Sequence, residues 1–135
     1  MSAIAVQTRI GIGPEMSRYQ GGLVGKLWID AAKLLFLGEG DFIRQQVSAA
    51  SYGQNQWVSY LGVSAFPVRG LMPSVMFERF QENLAVKGTG RNAIIGQVNV
   101  FPYAHFEAVL LFRYQMYADS QPAATLGMFQ LHYYL

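Results

Sequence analysis

The residues of this chain that could do chemistry are few. It has two histidines, His105 and His132, and no cysteine. Neither histidine has a Ser, Asp or Cys at a spacing that would build a triad or a metal-ligand set. The absence of cysteine also excludes a disulfide framework and a thiolate site. Gly11, Gly13 and Gly22 do not form a phosphate loop, because Gly11-Ile-Gly-Pro-Glu-Met16 puts Pro and Glu where a helix N-terminus would have to meet phosphate. What remains is a spaced set of charges: Arg9, Lys26, Arg44 and Arg113 against Asp30, Glu39, Asp41 and Glu107. Four cations and four anions on one polar face pair with one another inside a closed structure, or line the wall of a channel. Neither arrangement is catalytic, and the chain is expected to be no enzyme and to need no cofactor or metal.

The elements that would position these charges show a period of two, which is a strand period. Val6 to Gly13 alternates Val6, Thr8, Ile10 and Ile12 with Gln7, Arg9, Gly11 and Gly13, and reads as the first strand. Pro14 to Gln20 is polar, opens with Pro, and reads as a loop. Gly21 to Asp30 is the second strand, and a tight turn at Asp30 to Lys33 leads into a third from Leu34 to about Gln46. Ser48 to Gln56 reads as a long loop, Trp57 to Phe66 as strand four, and Phe66 to Gly70 as a turn. Strand five, Met72 to Leu84, carries the adjacent pair Glu78 and Arg79, which is placed near a rim. A loop at Ala85 to Arg91, a strand at Asn92 to Phe101 and a turn from Pro102 follow. Strand seven alternates Phe106, Ala108, Leu110, Phe112, Tyr114 and Met116 with His105, Glu107, Val109, Leu111, Arg113 and Gln115. After a loop at Ala118 to Ala123, Gly127 to Leu135 is the eighth.

A hairpin unit repeats within this order. Val63-Ser-Ala-Phe-Pro-Val-Arg-Gly-Leu-Met-Pro-Ser-Val-Met-Phe-Glu-Arg-Phe-Gln81 and Val98-Asn-Val-Phe-Pro-Tyr-Ala-His-Phe-Glu-Ala-Val-Leu-Leu-Phe-Arg-Tyr-Gln115 both read strand, Phe-Pro turn, strand, aromatic-Gln. The Phe-Pro pairs stand 35 residues apart, and another 35 residues back lies Ala31, inside the Asp30 to Lys33 turn. Helical solenoids repeat at similar lengths but need helical spacing of apolar residues. The expected turns also alternate short and long, as the periplasmic turns and external loops of outer-membrane barrels do.

The last strand carries Phe129, Leu131, Tyr133 and Leu135 on every second position, with Gln130, His132 and Tyr134 between them. This stretch resembles the C-terminal signature of bacterial outer-membrane β-barrel proteins, with Leu135 where a terminal Phe is usual. The resemblance implies an antiparallel up-and-down transmembrane β-barrel of about eight strands in this chain. Residues 1–135 would then be a single barrel domain or the C-terminal part of a larger barrel. The repeated hairpins look most like porins of the larger channel-forming kind, which implies passive diffusion of small solutes. It further implies contact with membrane lipid, and recognition by barrel-assembly machinery through Phe129, Leu131, Tyr133 and Leu135. Arg9, Lys26, Glu39, Asp41, Arg44, Glu107 and Arg113 would line the lumen, and a homo-oligomer is compatible with such a wall.

Composition agrees with interleaved rather than blocked apolarity. The chain is 52% hydrophobic but has no run near the roughly 18 residues of a membrane helix. Charged residues are 13%, against about 25% in ordinary soluble domains. The net charge of +2 is scattered, so nothing points to nucleic acid. The N-terminus lacks the basic and apolar regions of a secretory signal, so the targeting segment of an outer-membrane protein would lie outside this chain. Two rival readings remain open: a closed eight-stranded membrane barrel with a structural or adhesion role, and a soluble β-barrel or sandwich that binds an apolar ligand inside, or a virion structural protein. The soluble rivals share the same alternation and differ in which face meets water.

Overall fold

The structure, a computed structural model, describes residues 2–13, 16–47 and 53–134. The described residues form eight strands: β1 (Ser2–Ile12), β2 (Met16–Ile29), β3 (Leu34–Val47), β4 (Gly53–Ala65), β5 (Leu71–Gln81), β6 (Gly90–Tyr103), β7 (Phe106–Tyr117) and β8 (Ala124–Tyr133). All eight lie in one sheet in chain order, each antiparallel to the next. The chain is thus all-β, an up-and-down meander, and the sheet is not closed. Leu135, the Pro14 that opens the first expected loop, and 48–52 of the second lie outside the described residues.

Several strands begin earlier than alternation predicts, β1 at Ser2 and β8 at Ala124 among them. β2 starts at Met16, so the expected loop of Pro14 to Gln20 contracts to the link between Ile12 and Met16. Similarly β4 starts at Gly53 and β6 at Gly90. The residues added to β2, β4 and β6 are mostly polar or small, and what holds them is backbone pairing: Ser17 stands opposite Gln46, and Arg18 opposite Gln45. A ladder needs amide and carbonyl groups rather than apolar side chains. β5 ends at Gln81, three residues short of the expected Leu84.

At one end of the sheet the connections are tight. Asp30 to Lys33 closes with Lys33 N–H donating to the Asp30 carbonyl at 3.1 Å, and the Lys33 ammonium lies 2.7 Å from the Asp30 carboxylate. That ammonium holds the Asp30 carboxyl below its ordinary pKa. Phe66 N–H donates to Lys33, Phe101 N–H to Gly70 and Tyr134 N–H to His105, so each turn is hydrogen-bonded to the segment beside it. Two residues, Ala104 and His105, join β6 to β7, and His105 takes φ 66°. β4 pairs with β5 only as far as Ser64 opposite Ser74, one residue before Pro73, whose nitrogen cannot donate. The other end carries the longer connections 82–89 and 118–123, and also the link from Ile12 to Met16, which is shorter than the Phe66 to Gly70 turn. These two sides are called here the turn end and the loop end.

The pairing also fixes a stagger. Following partners across the sheet, Ile4 leads through Gly25, Gly38, Leu61, Phe77, Ile94 and Tyr114 to Thr125. Ile4 is near the turn end of β1, yet Thr125 is near the loop end of β8. A climb of about six residues at ~3.3 Å each, over seven inter-strand steps of ~4.8 Å, leans the strands roughly 30°. That is just under the tilt of barrel strands, about 35–45°.

Gly70 supports the second turn with φ +84°, and a Cβ there would meet the Phe101 carbonyl oxygen at 2.7 Å. Gly70→Ala is therefore expected to destabilise the fold by at least the roughly 1–2 kcal/mol of a left-handed L-residue. Gly127→Ala, where an added Cβ meets nothing within 4 Å, is expected to change it little. Urea unfolding of the two variants, followed by tryptophan fluorescence, checks this contrast.

Candidate functional site: the concave polar face

Side chains alternate along each strand and paired residues share a side, so the registers sort every strand residue onto one of two faces. Among the described residues no second layer of secondary structure packs on either face, yet the two differ in exposure. Ile4 is 84% exposed and Phe129 64%, while Ala93 and Asp41 on the opposite face are 1% and 5% exposed. In a single sheet such a difference comes from curling, which crowds side chains on the concave side and spreads them on the convex side.

The convex face is apolar across all eight strands. Val6 stands beside Leu23, Phe36 beside Val63, Leu61 beside Phe77, Ile94 beside Tyr114 and Leu110 beside Phe129. Among the described strand residues this face holds no carboxylate, and its two cations are Arg44 and Arg79. Both lie towards the loop end, amid Asn55, Ser59 and Asn92. Arg44 thus departs from the expected lining set. Its register places it with Phe42 and Tyr19, on the opposite side from Asp41 and Ile43, because alternation from Phe42 leaves no other position for it.

Six of the expected lining residues, Arg9, Lys26, Glu39, Asp41, Glu107 and Arg113, do share the concave face. They do not form one cluster. On β1 to β3, Gln7 donates to Glu39 at 2.7 Å and to Asp41 at 3.1 Å, reaching over β2. Gly22 makes that reach feasible. It stands between Gln7 and Asp41 in the register, and a Cβ there would collide with the Asp41 carboxylate. On β4 to β7, Arg113 meets Glu78 at 2.7 Å across β6 and donates to Gln115 at 3.2 Å. Glu78 also stands opposite Tyr60, whose hydroxyl lies over Gly62.

A third group sits at the turn end of β6 to β8. Gln97 donates to Asn99 at 2.6 Å, Asn99 to Glu107 at 2.5 Å, and the Tyr134 hydroxyl to the other Glu107 oxygen at 2.5 Å. His132 lies 3.5 Å from the same carboxylate. Its place as an ordinary neighbour of Glu107 and Gln130 is the role the sequence allows it, whereas His105 occupies a turn. Single-sequence reading did not identify Gln7, Tyr60, Glu78, Gln97, Asn99 or Tyr134 as partners. Their signal was parity with the charged set; the diagonal reach across a strand has no signature in spacing.

Apolar residues share the concave face: Val24, Ile43, Ile95, Val109, Leu111 and Met128 among them. No group of three or more His, Asp or Glu among the described residues could hold a metal ion. What the arrangement can do chemically is pair charges, present free guanidinium groups to whatever fills the curve, and exclude the apolar face from them.

The Gly22 notch is testable. Gly22→Ala is expected to cost about 1–3 kcal/mol, as forced overpacking does. Adding Asp41→Ala removes the carboxylate that the new methyl meets, so the double variant should lose clearly less than the sum of the two single losses. Equilibrium unfolding of all three variants measures this coupling, and strict additivity would disprove the notch.

Comparison of the chain with protein-family models, with curated proteins and with solved structures yields no match.

Proposed function

We propose that this chain forms wall of a β-barrel in a bacterial outer membrane, with its convex face to lipid and its concave face to an interior through which small solutes diffuse, as in porins. The observation that carries the reading is the convex face: apolar from β1 to β8, without a carboxylate, and with its two arginines towards the loop end. On the lipid side of a barrel a cation costs about 2–4 kcal/mol at the midplane and little near the interface. A soluble protein exposing so continuous an apolar surface would aggregate or bind a partner. The strand lean supports the same reading, as do the tight turns that stand opposite the longer connections 82–89 and 118–123. In lipid the two outer edges, on β1 and β8, require partners, since unpaired backbone groups cost several kcal/mol each. Closure by further strands widens the interior into a water-filled passage.

One observation favours a second reading. The concave face mixes its paired charges with bulky apolar side chains such as Leu111 and Met128, which suits the filled interior of a closed eight-stranded barrel with a structural or adhesion role. The two readings part in a permeability assay. Refolding from urea should give strand circular dichroism and a heat-modifiable band in detergent micelles but not in plain buffer. Liposomes carrying the protein should then leak small sugars under the first reading and stay tight under the second. A folded, soluble monomer without detergent would refute both.

A further inference from the structure

Three of the four described concave-face cations without an ion pair lie towards the loop end, the fourth being Lys26 at the turn end of β2. Arg9 and Arg18 lie near the loop end of β1 and β2, Arg91 is the second residue of β6 from that end, and Arg113 is in the loop half of β7. The anions Glu39, Asp41 and Glu107 occupy the middle and the turn half. Three described anions lie towards the loop end: Glu78, which is consumed by its ion pair with Arg113, and Glu82 and Asp119 in the connections, which line a cavity with Arg91 but form no ion pair with it. Among the described residues, Arg9, Arg18 and Arg91 have no carboxylate within 4 Å.

These free cations are also placed to meet a solute. Arg9 pairs with Gln20 and Gly11 pairs with Arg18, so the two guanidinium groups are diagonal neighbours on one face. Together with Gln20 and Gly11 they line a shallow cavity of about 200 Å³, and nothing lies within 4 Å of the missing Gly11 Cβ. Arg91 lies 4.6 Å over the Phe80 ring, which holds its guanidinium against the wall. A guanidinium presents several donors in a planar fork that matches carboxylate and phosphate oxygens.

Resting on the barrel-wall reading above, we propose that the loop end of the concave face is an anion-collecting mouth, in which Arg9, Arg18 and Arg91 draw small anionic solutes such as carboxylates and phosphates into the passage. Cations grouped in a low-dielectric concavity focus their field and raise the local concentration of anions. Rings of Arg or Lys confer anion preference on pores in the same way.

The test is the reversal potential of the refolded protein in a planar bilayer under a potassium chloride gradient. The expected result is a several-fold preference for chloride that falls towards unity in the triple variant Arg9→Gln, Arg18→Gln, Arg91→Gln, and is unchanged in Lys33→Gln at the turn end. Preference for potassium, or a chloride preference that survives the triple variant, overturns the proposal. Should the protein fold but conduct nothing, the diffusion role fails and the mouth is read directly, by fluorescence anisotropy of pyrene tetrasulfonate with protein in uncharged micelles. Binding at low salt that weakens at least tenfold in the triple variant upholds the anion site. No binding, or binding indifferent to the substitutions, overturns it. A heat-modifiable band in each variant verifies that it folds.

Discussion

Everything in this molecule depends on the antiparallel ladder. The described residues form one layer with no second sheet or helix, and so no buried core in the ordinary sense. Only four hydrophobic side chains among the described residues, Ile43, Ala93, Ile95 and Val109, are buried. Backbone hydrogen bonds between neighbouring strands therefore carry the organisation that core packing carries elsewhere. Because side chains alternate strictly, the same bonds decide which residue lies on which face, and a slip of one position would exchange the two faces of a strand. Devices that pin the register thus matter more here than side-chain volume. The hydrogen bonding of each tight turn to the segment beside it is one such device, and the bulge between Val100 and Tyr103 another.

The glycines serve the faces in different ways. Gly22 clears the concave side so that a carboxylate two strands from Gln7 can be held by it. Gly40 does the corresponding service on the convex side, where the Trp57 ring lies 3.3 Å from the position of its missing Cβ. Tyr60, three residues along the same strand, covers Gly62 on the concave side. β4 accordingly carries one aromatic ring against each surface of the sheet. The charges follow a similar economy: most carboxylates of the concave face have a donor within reach, and of its unpaired cations Arg9, Arg18 and Arg91 lie towards the loop end and Lys26 towards the turn end.

Much of this was legible in the chain itself. Alternation locates all eight strands, the Phe-Pro repeat locates two of the three tight turns, and parity places six of the seven expected lining residues on one face. The failures have physical causes. Strand ends at Met16, Gly53 and Gly90 were read as loop because polar residues carry no apolar period, although their backbones pair perfectly well. Arg44 was assigned by its charge, when its position two residues after Phe42 already decided its side. The contacts from Gln7 to Asp41 and from Glu78 to Arg113 each span an intervening strand, and no one-dimensional spacing encodes how far a curled sheet brings such groups together.

The strictly sequential pairing has a consequence for how such a chain can grow and assemble. The backbone of each strand pairs only with the strands before and after it in the sequence. Stability in such an array behaves as a sum over neighbouring units, much as in repeat proteins. A hairpin can then be gained or lost as a block, with the rest of the sheet merely translated around the curve. The 35-residue interval between Phe66 and Phe101 has the length of one such block. Duplication of hairpins is thus a route by which a sheet of this kind changes girth, and with it the width of what it encloses, while every local contact keeps its pattern.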